Sequence, residues 1–74
     1  MLETIKETLA DYTSVAVGDM TRDTKLIADL DMSSLDVVDV VLAFEDTYGI
    51  SIPDEDLKDM RTIGDIADYL EARV

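Results

Sequence analysis

Two adjacent serines, Ser33 and Ser34, are the side chains of this sequence best placed for covalent chemistry. They stand where a long helix is predicted to begin, and the first turn of a helix has free N–H groups and the positive end of the helix dipole. That environment favours an attached phosphodiester. A serine acting alone as a nucleophile needs a neighbouring base, and the chain has no His and no Cys. Activation of the hydroxyl is therefore expected from a separate modifying enzyme.

The same serines also suit a purely structural role. Ser33 can cap the helix while Asp36 reaches back to the Ser33 backbone, which is the pattern of a capping box. A serine in the first helical turn most often has only this local function. An unmodified pair of capping serines is therefore the alternative interpretation.

The segment from Asp29 to Ser33 has oxygen-bearing side chains at alternate positions, as a calcium-binding loop does. The rest of the loop pattern is missing, because Ser34 stands where the sharp turn needs Gly and Val40 stands where a bidentate Glu is needed. We predict no specific metal site. Weak, diffuse cation binding to the acidic surface is the most that we expect.

Hydrophobic spacing and capping signals predict an all-α fold: a small antiparallel four-helix bundle with three main helices and one short helix. Gly49 is placed to end the long second helix, and the short helix is expected to be capped by Asp54. The predicted helices cover 2–12, 34–48, roughly 55–60, and the stretch from a Thr62–Asp65 capping box to about Ala72. We expect one domain over 1–74.

The connection over 13–33 is long for so small a domain. A single helical turn near 24–29 is predicted within it. Apolar residues interrupt this connection, and we expect them to fix it to the core: Val15, Val17, Leu26, Ile27 and Leu30.

The long second helix has two apolar faces at 100° per residue. The core face is predicted to hold Val37, Val40, Val41, Phe44 and Tyr48. Leu35 and Leu42 lie almost opposite, among Asp36, Asp39 and Asp46, with Val38 on the flank. They are either scattered exposed apolar residues or the centre of a docking surface with an acidic rim. The acidic surroundings favour docking to a basic partner.

Charge excludes several classes of function. The chain has 18 acidic and 6 basic residues, a net charge of −12, and Lys58 is the only base between 26 and 60. Such a chain repels a phosphate backbone and anionic membranes. The longest apolar run, 40–44, is too short to span a bilayer, and the N-terminus lacks a signal-peptide pattern. We expect a cytoplasmic monomer with no nucleic-acid partner and no membrane insertion.

Three segments in order resemble the acyl carrier proteins. The stretch 30–36, with Ser34-Leu35-Asp36, is similar to the family's attachment motif. Residues 50–56 look like its Ile-Pro-Asp-Glu turn, and 62–70 resemble its last helix. Two residues depart from the family pattern, since Ser33 replaces an Asp and Asp31 replaces a Gly.

The resemblance implies that Ser34 carries a 4′-phosphopantetheine arm derived from coenzyme A, whose thiol holds acyl groups as thioesters. The protein would then be no enzyme itself. Its expected partners are a phosphopantetheinyl transferase and fatty acid synthesis enzymes with basic patches, which would bind Leu35, Asp36, Val38, Asp39, Leu42, Glu45 and Asp46. The acyl chain is expected beside Val41, Phe44, Ile52, Leu57 and Ile63.

Two other functions stay open at this point. Loss of the carboxylate at Ser33 fits a carrier dedicated to a specialised pathway, such as polyketide synthesis or lipid modification. An unmodified acidic adaptor for a basic partner would keep the docking surface and use the serines only as a cap.

Overall fold

Four α-helices and no strand make up the fold, which a computed structural model describes for residues 1–74. None of the helices has the length and apolar character that a membrane crossing requires. The all-α prediction with three main helices and one short helix is confirmed. The helices are α1 (Leu2–Ala10), α2 (Ser34–Tyr48), α3 (Asp54–Leu57) and α4 (Ile63–Glu71), with a 3₁₀ helix at Val17–Asp19.

Local capping determines where α2 and α4 begin. Ser33 Oγ accepts the Asp36 N–H at 3.2 Å, and Asp36 Oδ2 accepts the Ser33 N–H at 3.1 Å. Thr62 and Asp65 form the same reciprocal pair at the start of α4, with both distances at 3.1 Å. Gly49 ends α2 at φ 65°, in the left-handed region that glycine adopts without strain. These predicted ends are confirmed.

The short helix differs from its prediction. It begins at Asp54, so Asp54 is not its cap; the N-cap is Pro53, which makes no side-chain capping bond. The fixed φ of proline suits the position before a first helical turn, which moves the start one residue earlier. The helix ends at Leu57, and residues up to Met60 continue in tighter turns, with the Met60 N–H bonded to the Leu57 carbonyl at 3.1 Å.

The connection between α1 and α2 is fixed to the start of α4 by backbone hydrogen bonds. The Gly64 N–H donates to the Arg22 carbonyl at 2.8 Å, and the Ile63 N–H donates to the Thr24 carbonyl at 3.1 Å. Gly64 permits this approach, because a Cβ there would lie only 3.0 Å from the Arg22 carbonyl oxygen. The predicted helical turn is present, since the Asp29 N–H donates to the Lys25 carbonyl at 3.0 Å.

Side chains from that connection complete the core. Leu26 and Leu30, four residues apart on the helical turn, are both buried. Ile27 is 58% exposed, so the prediction that it fixes the connection to the core is wrong. It lies next to Leu26 on a single turn, so the orientation that buries Leu26 and Leu30 directs Ile27 outward.

The core lies between α1, α2 and α4, with α1 in contact with both of the others. Phe44 of α2 is fully buried, and its ring is 6.4 Å from that of Tyr48. Burial of this apolar cluster is the main source of stability in a fold without disulfides. The cluster consists of Ile5, Leu9, Met20, Leu26, Leu30, Met32, Val37, Val40, Val41, Phe44, Ile52, Met60, Ile63, Ile66, Ala67 and Leu70.

Candidate functional site

Ser34 is the first residue of α2, and its side chain is exposed. Ser33 Oγ is occupied in the capping box with Asp36, whereas Ser34 Oγ makes no hydrogen bond within the chain. Free N–H groups in this first turn and the helix dipole favour negative charge next to that oxygen. The two serines are therefore distinguished by geometry: Ser33 serves the fold and Ser34 presents a free hydroxyl.

The turn before α2 contains one residue, Asp31, with a strained backbone conformation. Asp31 has φ 56° and is the only non-glycine residue with a positive φ. Aspartate tolerates the left-handed region better than most residues, but it adopts that region less readily than glycine. The chain thus reaches Ser33 and Ser34 through a mildly strained aspartate.

The predicted docking face of α2 is exposed at its apolar centre. Leu35 is 77% exposed, Leu42 is 56% exposed and Val38 is 40% exposed. Ile27 lies near this face, because Ile27 and Val38 both line the cavity described below. Ile27 was not predicted as a surface residue, because its hydrophobic type gave no signal that it would be exposed.

The acidic residues of that face differ in what they can offer to a partner. Asp36 is used in the capping box, and Glu45 Oε2 accepts the Ile52 N–H at 2.7 Å, which holds the chain after α2 in place. Asp39 and Asp46 are exposed and take part in no ion pair or hydrogen bond. Asp39 and Asp46 are therefore the carboxylates free to meet a basic patch.

One cavity of about 750 Å³ opens beside Ser34. Volumes of this size are typical of sites that hold small ligands. Its walls come from the helical turn at 25–28, the first part of α2, and the segment from α3 to the start of α4. They consist of Lys25, Leu26, Ile27, Ala28, Ser34, Val37, Val38, Leu57, Lys58, Met60, Arg61, Thr62 and Asp65.

Only one of the five residues expected beside the acyl chain lines this cavity. Leu57 is in its wall, whereas Val41, Phe44, Ile52 and Ile63 are buried in the packed core. The placement of the acyl chain beside those four side chains stays a prediction. The open space has Ser34 and Val37 in its wall.

Three cations stand in the cavity wall, namely Lys25, Lys58 and Arg61. The sequence showed Lys58 as an isolated base, but the three come together through tertiary pairing that no sequence pattern reveals. Lys25 pairs with Thr62 in an isolated antiparallel bridge, and the Leu26 N–H donates to the Arg61 carbonyl at 3.0 Å.

A polar cluster of Asp56, Tyr69 and Arg73 joins α3 to α4. The Tyr69 hydroxyl donates to Asp56 Oδ2 at 2.6 Å, and the Arg73 guanidinium lies 3.5 Å over the Tyr69 ring. This hydrogen bond to Asp56 raises the pKa of Tyr69 above its usual value. One residue earlier in α4, Asp68 accepts a hydrogen bond from Arg22, and this bond raises the pKa of Arg22. The acidic residues form no group that could hold a metal ion.

Comparison with known proteins identifies the family. A model of the family described as "Phosphopantetheine attachment site" matches residues 3–70. An acyl carrier protein of Clostridium perfringens is 37% identical over 70 residues, covering 95% of this chain and 92% of that protein. A meromycolate extension acyl carrier protein of Mycobacterium leprae is 37% identical over 67 residues, covering 90% of this chain. The chain spans 58% of the length of that mycobacterial relative.

The fold comparison agrees with the sequence comparison. The solved structure of the acyl carrier protein from Enterococcus faecalis superposes with a TM-score of 0.87 at 26% identity, covering 99% of this chain and 92% of that one. The free Ser34 hydroxyl at the start of α2 stands within the matched region. The chain therefore belongs to the phosphopantetheine attachment site family, among the acyl carrier proteins.

Proposed function

We propose that this protein carries acyl groups as thioesters on a 4′-phosphopantetheine arm attached to Ser34. The single observation that carries the proposal is the geometry of Ser34, which is exposed, free of hydrogen bonds and located at the N-terminus of a fifteen-residue helix. The arm supplies the thiol that forms the thioester, which a chain without Cys cannot do alone. Free N–H groups of the first turn stabilise the phosphodiester next to Ser34 Oγ.

The chain has no means to activate its own serine. It contains no His, and the carboxylate of Asp36 is already occupied by the Ser33 N–H. A phosphopantetheinyl transferase must therefore supply the base that takes the Ser34 proton. The protein acts as a substrate and carrier, and it is not an enzyme in its own right.

Partner enzymes would bind the docking face of α2. Leu35, Val38 and Leu42 supply its apolar centre, to which the exposed Ile27 adds. Asp39 and Asp46 supply the charge that steers a basic patch toward it. Asp36 and Glu45 would act mainly through the fold, because their carboxylates hold backbone N–H groups.

The protein would act in fatty acid synthesis, with the transferase and the acyl-chain enzymes as its partners. A specialised lipid pathway is the second candidate, because several relatives at 36–37% identity are named meromycolate extension acyl carrier proteins. The Ser33 that replaces the family's Asp also favours a dedicated transferase. A cytoplasmic location stays a prediction.

Intact mass spectrometry of the protein purified from its own cells tests the carrier proposal. A mass increased by one phosphopantetheine arm is the expected result. Unmodified protein from cells with an active transferase would favour the acidic adaptor instead. A pull-down with the same sample would then identify the basic partner.

A further inference from the structure

The basic residues of this acidic protein are divided into two groups. Three of the six form ion pairs: Lys6 with Glu3, Arg22 with Asp68 and Arg73 with Asp56. The other three, Lys25, Lys58 and Arg61, have no carboxylate within ion-pair distance, and all three line the cavity beside Ser34. In a chain of net charge −12, the unpaired positive charge is thus collected in one place.

The backbone holds these cations near one another. The hydrogen bond from the Leu26 N–H to the Arg61 carbonyl, at 3.0 Å, joins the segments that contain Lys25 and Arg61. Arg61 Nε donates to the Lys58 carbonyl at 3.3 Å, which brings the Arg61 side chain to the end of α3. Hydrogen bonds of the fold therefore hold together the segments that contain the three cations.

The carboxylate in the cavity wall does not neutralise this cluster. Asp65 is the only acidic residue in the lining, and its Oδ2 accepts the N–H groups of Arg61 and Thr62 at 3.2 and 3.1 Å. The cavity lining therefore contains three cations and one carboxylate, which the α4 cap already uses. Like charges held together repel, so an added anion would be stabilised there.

We propose that the cavity binds a carboxylate at the far end of the acyl chain, so that the preferred cargo is a dicarboxylic acyl group. This inference rests on the proposed attachment of the arm to Ser34. Methylene groups of such a cargo would contact the apolar part of the wall, and the distal carboxylate would meet the cations. The apolar part consists of Leu26, Ile27, Ala28, Val37, Val38, Leu57 and Met60.

The phosphodiester of the arm is the other anion within reach. It carries a single charge and is fixed at Ser34 Oγ, where the N-terminus of α2 already stabilises it. Three cations exceed what that one charge requires, and they come from segments outside α2. A carboxylate on the cargo accounts better for this excess.

The test compares two thioesters of equal length on the loaded protein, octanoyl and suberoyl, which differ by a terminal carboxylate. The rate of thioester hydrolysis is measured for each and divided by the rate for the same thioester on free pantetheine. Binding of the carboxylate in the cavity withdraws the thioester from water, and charge-assisted hydrogen bonds suggest about tenfold more protection for suberoyl. Lys58→Gln and Arg61→Gln are expected to abolish this difference.

Two control variants separate local charge from net charge and from misfolding. Lys6→Gln on α1 removes the same charge outside the cavity wall and should keep the suberoyl protection. Arg61→Lys retains the charge and should keep most of it. Equal protection of the two cargoes, or equal loss in Lys6→Gln, would overturn the proposal.

A sample that carries the arm without an acyl group shows whether the cations bind the phosphodiester or the cargo carboxylate. One outcome is that the amide NMR shifts of residues 25, 58 and 61 change on attachment of the arm alone, with no further change when suberoyl is loaded and no added protection of its thioester. In that case the phosphodiester is the ligand, and the cargo proposal is wrong. The intact mass is recorded for every sample. Failure to gain the arm would overturn the carrier function itself, whereas a loaded protein without cargo discrimination would overturn only the present inference.

Discussion

At the scale of single residues, the two serines at the start of α2 have different roles, one structural and one chemical. Ser33 gives its side chain to the capping box, and Ser34 leaves its hydroxyl free. Loss of a serine cap costs about 1 kcal/mol, so Ser33 matters for α2 whether or not the protein is modified. The replacement of the family's Asp by Ser33 keeps this cap, as the structure shows.

Asp31 provides a prediction about backbone strain. Its φ of 56° lies where glycine is favoured, so Asp31→Gly should increase the free energy of unfolding, by up to about 1 kcal/mol. Urea denaturation of both proteins measures the difference. Asp31→Asn is the matched control, since it removes the same charge and keeps the side chain. If Asn stabilises as much as Gly, relief of charge repulsion and not of strain is the cause.

At the scale of elements, neighbouring acids of α2 are predicted to differ in their effect on stability. Glu45 holds the Ile52 N–H at 2.7 Å, so Glu45→Ala should destabilise the fold by about 1–2 kcal/mol. Asp46 has no such bond, and Asp46→Ala should change stability by less than about 0.5 kcal/mol. Chemical denaturation of both variants measures the two changes in the free energy of unfolding. Equal losses would show that the hydrogen bond to the chain after α2 contributes nothing.

The same helix permits a test of the docking face. Leu42 is 56% exposed, so Leu42→Ala should cost less than about 1 kcal/mol, whereas Phe44→Ala in the core should cost about 3–5 kcal/mol. Because Leu42 lies on the proposed docking face, its variant should nevertheless slow arm transfer by a transferase. Thermal melts and loading rates measure the two effects. A Leu42→Ala protein that melts as early as Phe44→Ala would place Leu42 in the core.

Local sequence patterns made the helices predictable. Parts of the site depend on contacts between residues far apart in the chain, and these could not be predicted from the sequence. The capping boxes at Ser33 and Thr62 depend on residues three apart, so the sequence shows them directly. The exposure of Ile27 depends on the orientation of one isolated turn, which the sequence does not specify. The cation cluster depends on pairing between 25–26 and 61–62, which are far apart in the chain. Hydrophobic type alone does not separate core from cavity wall, so the residues that line the cavity could not be predicted from the sequence.

At the scale of the whole molecule, surplus negative charge opposes the compact state. The chain has 18 acidic and 6 basic residues, and two of its three ion pairs are long, at 3.9 Å. Ion pairs at this distance near the protein surface add little stability. The small core has no disulfide to offset the repulsion.

The melting temperature is therefore predicted to rise with salt. Monovalent salt shortens the screening length to about 10 Å at 0.1 M, and divalent cations can lie between neighbouring carboxylates. Circular-dichroism melts at neutral pH across series of sodium chloride and magnesium chloride measure the effect. A melting temperature that ignores both salts would show that the acidic groups do not destabilise the fold.

Arm attachment to Ser34 is the claim on which the carrier function depends. The most direct measurement is intact mass followed by fragment mapping, after incubation with coenzyme A and a promiscuous phosphopantetheinyl transferase. The wild-type protein and Ser33→Ala should gain one arm, located at Ser34, and Ser34→Ala should gain none. An arm on Ser34→Ala, or no arm on the wild-type protein, would contradict the assignment of the free hydroxyl at the start of α2.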